Sequence, residues 1–155
     1  MHTLERTVIL PAPRDEVFRF FEDPRNLAKI TPKRMRMTIT RIDDPPVRPN
    51  FRIEYTIKWL FVKMKWVTLI TDYRAPELFA DVQEKGPYRY WRHTHEFEDL
   101  GDQTLMRDRV QYELPFGILG TVTHRLVVAR QLEGIFDYRA RKIRKLFAKQ
   151  GVPAA

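Results

Sequence analysis

The sequence predicts an α+β fold, with an antiparallel sheet of about seven strands packed on one long C-terminal helix and two short helices after the first strand. Three observations carry this expectation. Between residues 3 and 114, apolar and polar side chains alternate in run after run, the period-2 signature of half-buried strands. From about residue 116 to 149 the apolar spacing changes to three and four, the period of an amphipathic helix. The chain has 155 residues, 43% of them apolar, which suits one hydrophobic core rather than two. Residues 1–150 are therefore expected to form one domain, with 151–155 a short tail.

Residues 3–10 alternate and are rich in β-branched side chains until Pro11-Ala12-Pro13 stops them, which makes the first strand. Val17, Phe20 and Phe21 then recur at helical spacing behind Asp15 and Glu16, whose charges favour a helix N-terminus. That helix ends at Asp23-Pro24. A second short helix over residues 25–30 is closed by Thr31-Pro32, because a residue before proline avoids the α region.

Alternation resumes in Met35, Met37, Ile39 and Ile42, and a proline-rich loop over 43–50 interrupts it. Phe51, Ile53, Tyr55, Ile57 and Trp59 face one side of a long strand, with Arg52, Glu54, Thr56 and Lys58 on the other. Val62, Met64, Trp66, Thr68 and Ile70 fit the inner face of the next, and Ala75-Pro76-Glu77 turns the chain. Residues 78–84 form a further strand ended by Gly86-Pro87. Residues 88–99 and 104–114 then pair as a hairpin through Leu100-Gly101-Asp102-Gln103.

Beyond Pro115, Leu119, Val122, Leu126, Ala129, Leu132, Phe136, Ala140, Ile143 and Phe147 form one stripe. A helix over 116–149 would be about 50 Å long at 1.5 Å per residue. Only the concave face of a twisted sheet is long enough to cover that stripe.

Composition narrows the chemistry. There is no cysteine, so disulfides, thiolate metal sites and a cysteine nucleophile are excluded. Lys and Arg number 28 against 20 Asp and Glu, a formal charge of +8 that favours anionic partners. The excess gathers late in the last helix, at Arg139, Arg141, Lys142, Arg144, Lys145 and Lys149. Those cations complement the negative end of a helix dipole, and transient contact with an anionic membrane would suit them. Nucleic acid is not the expected partner, because the aromatic residues lie on inferred inner faces instead of forming an exposed stacking stripe. No apolar run reaches the roughly 20 residues of a membrane span, and the first residues lack a signal peptide's apolar stretch, so a cytoplasmic location is expected.

Polar residues on inner faces are the informative ones. Trp91, His93, His95 and Phe97 share a face, and a turn centred on Gly101-Asp102 sets His95 opposite Asp108, His93 opposite Val110 and Trp91 opposite Tyr112. His95 and Asp108 are thus expected to form a half-buried pair. Phe79, Asp81 and Gln83 share a parity that points inward or, by the evidence of Ala80 and Val82, outward. Three roles compete for the cluster: a structural network, orientation of a mostly apolar ligand, and acid/base catalysis by His95 with Asp108 as its orienting carboxylate.

His93-x-His95 points two imidazoles one way, as some metal sites require, with His124 or Asp108 as a third group, but nothing fixes their distance and no metal or cofactor is expected. Arg139 either reaches the sheet's end to hold a carboxylate or faces solvent. Gly117 and Gly120 loosen the first turn of the helix, where a cavity mouth could open or the turn could pack tightly.

The stretches Gly86-Pro87-Tyr88, Trp91-x-His93-x-His95-x-Phe97, Asp108-Arg109-Val110-x-Tyr112-x-Leu114-Pro115-Phe116-Gly117 and Phe136-Asp137-Tyr138-Arg139 resemble bacterial ligand-binding members of the START-like (SRPBCC) superfamily. That superfamily includes the major birch-pollen allergen, START lipid-transfer domains, and polyketide cyclases and aromatases. The resemblance covers essentially the whole chain and implies a helix-grip fold with a largely apolar cavity between sheet and helix. Pockets of that kind commonly hold about 300–1,000 Å³. The resemblance implies no reaction, since transfer proteins, receptors and enzymes share the scaffold. The expected function is binding of a lipid, polyketide or aromatic metabolite, as carrier or sensor. Trp66, Trp91, Phe97, Met106 and Tyr112 would supply walls, and His93, His95, Asp108, Asp81 and Gln83 would orient polar atoms. The alternatives are a cyclase- or hydrolase-like enzyme using His95 and Asp108, and polyanion binding by the basic helix end.

Overall fold

The computed structural model describes residues 1–115 and 122–150. Strand β1 (His2–Leu10) is followed by helix α1 (Arg14–Glu22) and two 3-10 helices, Pro24–Ile30 and Lys33–Met35. Strands β2 (Thr38–Ile42), β3 (Arg52–Trp59), β4 (Val62–Arg74), β5 (Leu78–Lys85), β6 (Tyr90–Asp99) and β7 (Thr104–Glu113) come next, then helix α2 (Val122–Gln150). The seven strands form one sheet in the order β1-β7-β6-β5-β4-β3-β2, with every neighbouring pair antiparallel. Strands β2 to β7 are a meander, and the helical connection after β1 carries the chain from one edge of the sheet to the other.

Alternation decides which face is inside. On β3, Ile53, Tyr55, Ile57 and Trp59 are buried while Arg52 is exposed. The register slips between Val67 and Thr68, between Ile70 and Asp72, and between Ile39 and Arg41. Bulges of this kind bend a sheet and increase its twist, which makes room for a helix on the concave side. The hairpin joining β6 and β7 has the register expected from its turn: His95 faces Asp108, His93 faces Val110 and Trp91 faces Tyr112. Gly101 sits there at φ 86, in the left-handed region that glycine enters without a Cβ penalty.

Helix α2 differs from expectation in its stripe. Val128, Leu132, Ile135, Phe136, Arg139, Ile143 and Phe147 are buried. Leu126, expected on the stripe, is 53% exposed, and Val127 beside it is also exposed. The buried face follows Val128 in place of Leu126, a rotation of two positions near the helix start. Val62, expected inward, is exposed beside Phe61 at the tip of the β3–β4 hairpin, where the strands have run past the core. Met35, expected in a strand, is buried within a 3-10 helix, because Pro32 and the left-handed Arg36 bracket that short turn.

The apolar cluster joins α1, the Pro24–Ile30 helix, every strand from β3 to β7 and α2. Phe18 meets Phe79 and Phe97 edge to face at centroid separations of 5.7 and 5.3 Å, fixing α1 against β5 and β6. Thr104 Oγ1 donates to the Ala12 carbonyl at 2.7 Å and closes one end of the sheet.

Candidate ligand-binding site

Three neighbouring strands, β5, β6 and β7, bring a buried polar cluster to the concave face. Because side chains on a strand alternate, Trp91, His93, His95 and Phe97 all point inward from β6. Asp108 on β7 lies directly across from His95, and Asp81 on β5 directly across from His93. Each carboxylate also reaches the diagonal histidine. Asp108 Oδ1 is 2.8 Å from His95 Nδ1 and 2.9 Å from His93 Nε2, and Asp81 Oδ2 is 3.5 Å from His95 Nε2. The bond to His93 is well formed, whereas the contact with His95 Nδ1 is short but poorly directed. The two imidazole centroids are 3.8 Å apart, His95 stacks on Phe79 at 4.3 Å, and His93 meets the edge of Phe136 at 5.3 Å.

Burial and charge pull these groups in different directions. Burial raises the Asp108 carboxyl, but the contacts with His93 and His95 outweigh it and hold the group well below the usual carboxylate range. Burial lowers His93, and the charge on His95 lowers it further against the opposing pull of Asp108. His95 is also penalised by burial, yet its contacts with Asp108 and Asp81 prevail and raise it. The two histidines are thus pushed in opposite directions around one shared carboxylate, and such a set titrates together rather than residue by residue.

Beside the cluster lies a cavity of about 140 Å³. Ile53, Ile57, Trp66, Leu132, Ile135 and Phe136 supply much of its wall, and Asp81, His93 and His95 its polar side. The cavity is smaller than pockets of this kind commonly are, because Tyr55, Trp59, Trp66, Tyr88 and Trp91 pack on one another and fill part of the space. What remains is close to the roughly 150 Å³ that accepts a benzene in an engineered protein core. Glu22, Asn26, Met37 and Val47, all partly exposed, rim it on the side of α1 and the loop before β3.

Of the site residues expected from sequence, Trp66, Trp91, His93, His95 and Asp81 line this cavity. Phe97, Met106 and Tyr112 do not. Phe97 is taken up by Phe18 and Phe79, Met106 is fully buried, and Tyr112 packs against Tyr88 and Trp91. Asp108 stands behind the histidines. Gln83 is likewise off the wall: its amide donates to the Tyr88 carbonyl at 2.8 Å and its carbonyl accepts from the Tyr88 N–H at 3.1 Å, which holds the β5–β6 loop. Gly117, Gly120 and the side chain of His124 lie outside the described residues.

Arg139 takes neither expected position. It is 8% exposed, lines the cavity, and lays its guanidinium 4.9 Å over the ring of Phe136. Its place between Phe136 and Ile143 on the buried stripe explains the burial, and a stripe read from apolar residues alone passes over it. Burial depresses its guanidinium from the ordinary arginine value, opposed by Asp108, Tyr55 and Asp81. As for metals, ligating atoms of Asp81, His93 and His95 all lie within 4.8 Å of one another, so these three could hold an ion. Arg139 sets a cation beside the same cavity.

The family model for polyketide cyclase / dehydrase and lipid transport matches residues 10–136. The chain belongs to this family. Solved structures agree on the fold. The Zhui aromatase/cyclase from Streptomyces sp. R1128 superposes with a TM-score of 0.75 at 15% identity, covering 97% of this chain and 99% of that one. A START superfamily protein from Mycobacterium smegmatis gives 0.68 at 12% identity, covering 94% and 99%. Protein TTHA0849 from Thermus thermophilus gives 0.68 at 16% identity, covering 92% and 97%. No curated protein matches the sequence. The seven-stranded sheet gripping a long C-terminal helix is therefore the helix-grip fold, and this is a START-like, polyketide cyclase-like family member with a ligand-binding fold. Among the described residues no helix is long and apolar enough to cross a membrane.

Proposed function

We propose that this chain binds a small apolar or amphipathic molecule, a lipid fragment, polyketide or aromatic metabolite, between the sheet and helix α2, and works as a carrier or sensor. The observation that supports it is an unfilled cavity of about 140 Å³ with apolar walls and a polar cluster confined to one side. Such a wall drives binding by removing apolar surface from water, and the few polar groups orient the guest. Membership of a family named for lipid transport as well as cyclisation fits this reading.

Acid/base catalysis by His95 with Asp108 is the second reading, favoured by a His95 held between two carboxylates. It is the weaker one, because Asp108 is shared with His93 and so does not serve His95 alone. Native mass spectrometry of protein purified from its own host tests the proposal: a co-purifying small molecule is expected, lost when Ile135→Phe fills the cavity. An empty protein that also fails to bind apolar probes overturns it. Replacing His95 by Gln separates the two readings, since a carrier keeps its affinity whereas an enzyme loses turnover.

A further inference from the structure

The cavity contains two hydrogen-bond donors with no acceptor. Trp66 Nε1 and Arg139 Nε are both buried without a partner, and both residues line the cavity. Leaving a buried donor unmatched is costly, and leaving a buried cation unpaired is more so. The neighbouring acids do not resolve this. Asp108 is held by His93 and His95, Asp81 faces His95, and among the described residues no carboxylate lies within ion-pair distance of the Arg139 guanidinium. The nearby phenol of Tyr55 is engaged with Thr68 Oγ1 at 3.3 Å. The face of Phe136 contacts the guanidinium, an interaction that supplies no hydrogen-bond acceptor to Nε.

We propose that Arg139 is the anchor for an anionic oxygen of the ligand, so that the guest is an apolar, ring-sized molecule carrying a carboxylate or enolate, with the Trp66 indole N–H as a further donor to it. Guanidinium suits this role because it stays charged when buried and presents N–H groups in a fixed fork that matches two oxygens. The apolar walls dispose of the rest of the molecule, and the low dielectric around Arg139 strengthens an interaction that water would weaken. A neutral alcohol of the same shape offers a single uncharged acceptor in place of two charged oxygens, and the difference becomes selectivity. This rests on the reading of the cavity as a ligand site and adds the chemical class of what enters it.

The test is a matched pair of probes, cinnamate and cinnamyl alcohol, titrated against wild-type protein and Arg139→Gln and followed by NMR chemical shifts. Cinnamate is expected to bind the wild type at least tenfold tighter than the alcohol. In Arg139→Gln the preference should fall to about twofold or less while the alcohol's affinity is kept, and Arg139→Lys should restore part of the preference. Equal affinities in the wild type, or a preference that survives Arg139→Gln, overturn the anchor and leave the cavity reading standing. If neither probe binds the wild type although toluene does, the anchor fails and the cavity reading stands; if toluene is refused as well, both fail. If the glutamine variant does not fold, Arg139→Lys carries the test: an unchanged preference there together with unmoved Trp66 and Arg139 signals in the wild type overturns the anchor.

Discussion

Asp108 Oδ1 lies 2.9 Å from His93 Nε2, although the residue directly across the ladder from His93 is Val110. The carboxylate leans along its strand to the diagonal neighbour, and in doing so ties two histidines of β6 to β7 with one oxygen. Removing it leaves two buried imidazoles without the carboxylate they share. Asp108→Ala is expected to cost roughly 3–5 kcal/mol, the range for breaking a buried charged pair. Urea denaturation measures it, and a loss below about 1 kcal/mol would show that the cluster contributes little to the fold.

The two histidines should tilt the pH dependence of stability in opposite directions. His93 is lowered by burial, so below its ordinary value of about 6.5 the unfolded chain takes up a proton that the folded one refuses, and stability falls as pH drops through that region. His95 is raised by its carboxylate contacts despite burial, so its contribution is complete below about pH 6.5 and is lost as pH rises toward its folded value. Asp108, held low, adds a separate loss only below about pH 4. Urea midpoints between pH 5 and 8.5 should therefore peak near the middle, with His93→Gln flattening the acid limb and His95→Gln the alkaline limb. Identical slopes in both variants would contradict this assignment.

Gly86 is expected to resist a side chain for a local reason. A Cβ there would strike the Gln83 side chain, which brackets Tyr88 with two hydrogen bonds. Gly86→Ala should cost about 1–3 kcal/mol, the sum of two such bonds at roughly 0.5–1.5 kcal/mol each. If the bonds are the cause, the cost should largely vanish in a Gln83→Ala background, as a double-mutant cycle would register. Full additivity would place the effect elsewhere.

The stripe of helix α2 yields a contrast within one element. Leu132 is buried and Leu126 is 53% exposed, so Leu132→Ala should cost roughly 2–5 kcal/mol and Leu126→Ala less than about 0.5 kcal/mol. Thermal or urea unfolding checks the ratio, and similar losses at the two positions would restore the stripe expected from sequence.

What can be read from sequence follows from parity and turns. Strand alternation places Trp91, His93, His95 and Phe97 on one face, and the Gly101-Asp102 turn sets the register that brings Asp108 across from His95. Side-chain reach is not legible there. Ladder pairing names the residue opposite, whereas Asp108 bonds diagonally to His93 and Asp81 Oδ2 comes to 3.5 Å from the diagonal His95, a choice made by rotamers. Asp81 is ambiguous because Ala80 is wholly buried and Val82 partly so, which leaves β5 with apolar residues on both faces. Arg139 stands out in the sequence without a definite place, since a cation on a buried stripe breaks the pattern by which stripes are recognised. The size of the void does not follow from composition either: five aromatic rings can fill a space or line it, and here they do some of each.

The most direct measurement is whether the hollow beneath α2 admits a guest. Toluene titrated into the protein should shift the side-chain NMR signals of Ile57, Ile135 and Trp66 saturably and raise the melting temperature, as any ligand that binds only the folded state does. Ile135→Phe should abolish both effects while the protein remains folded. Shifts that never saturate in the wild type, or that persist unchanged in Ile135→Phe, would mean that the interior takes in nothing.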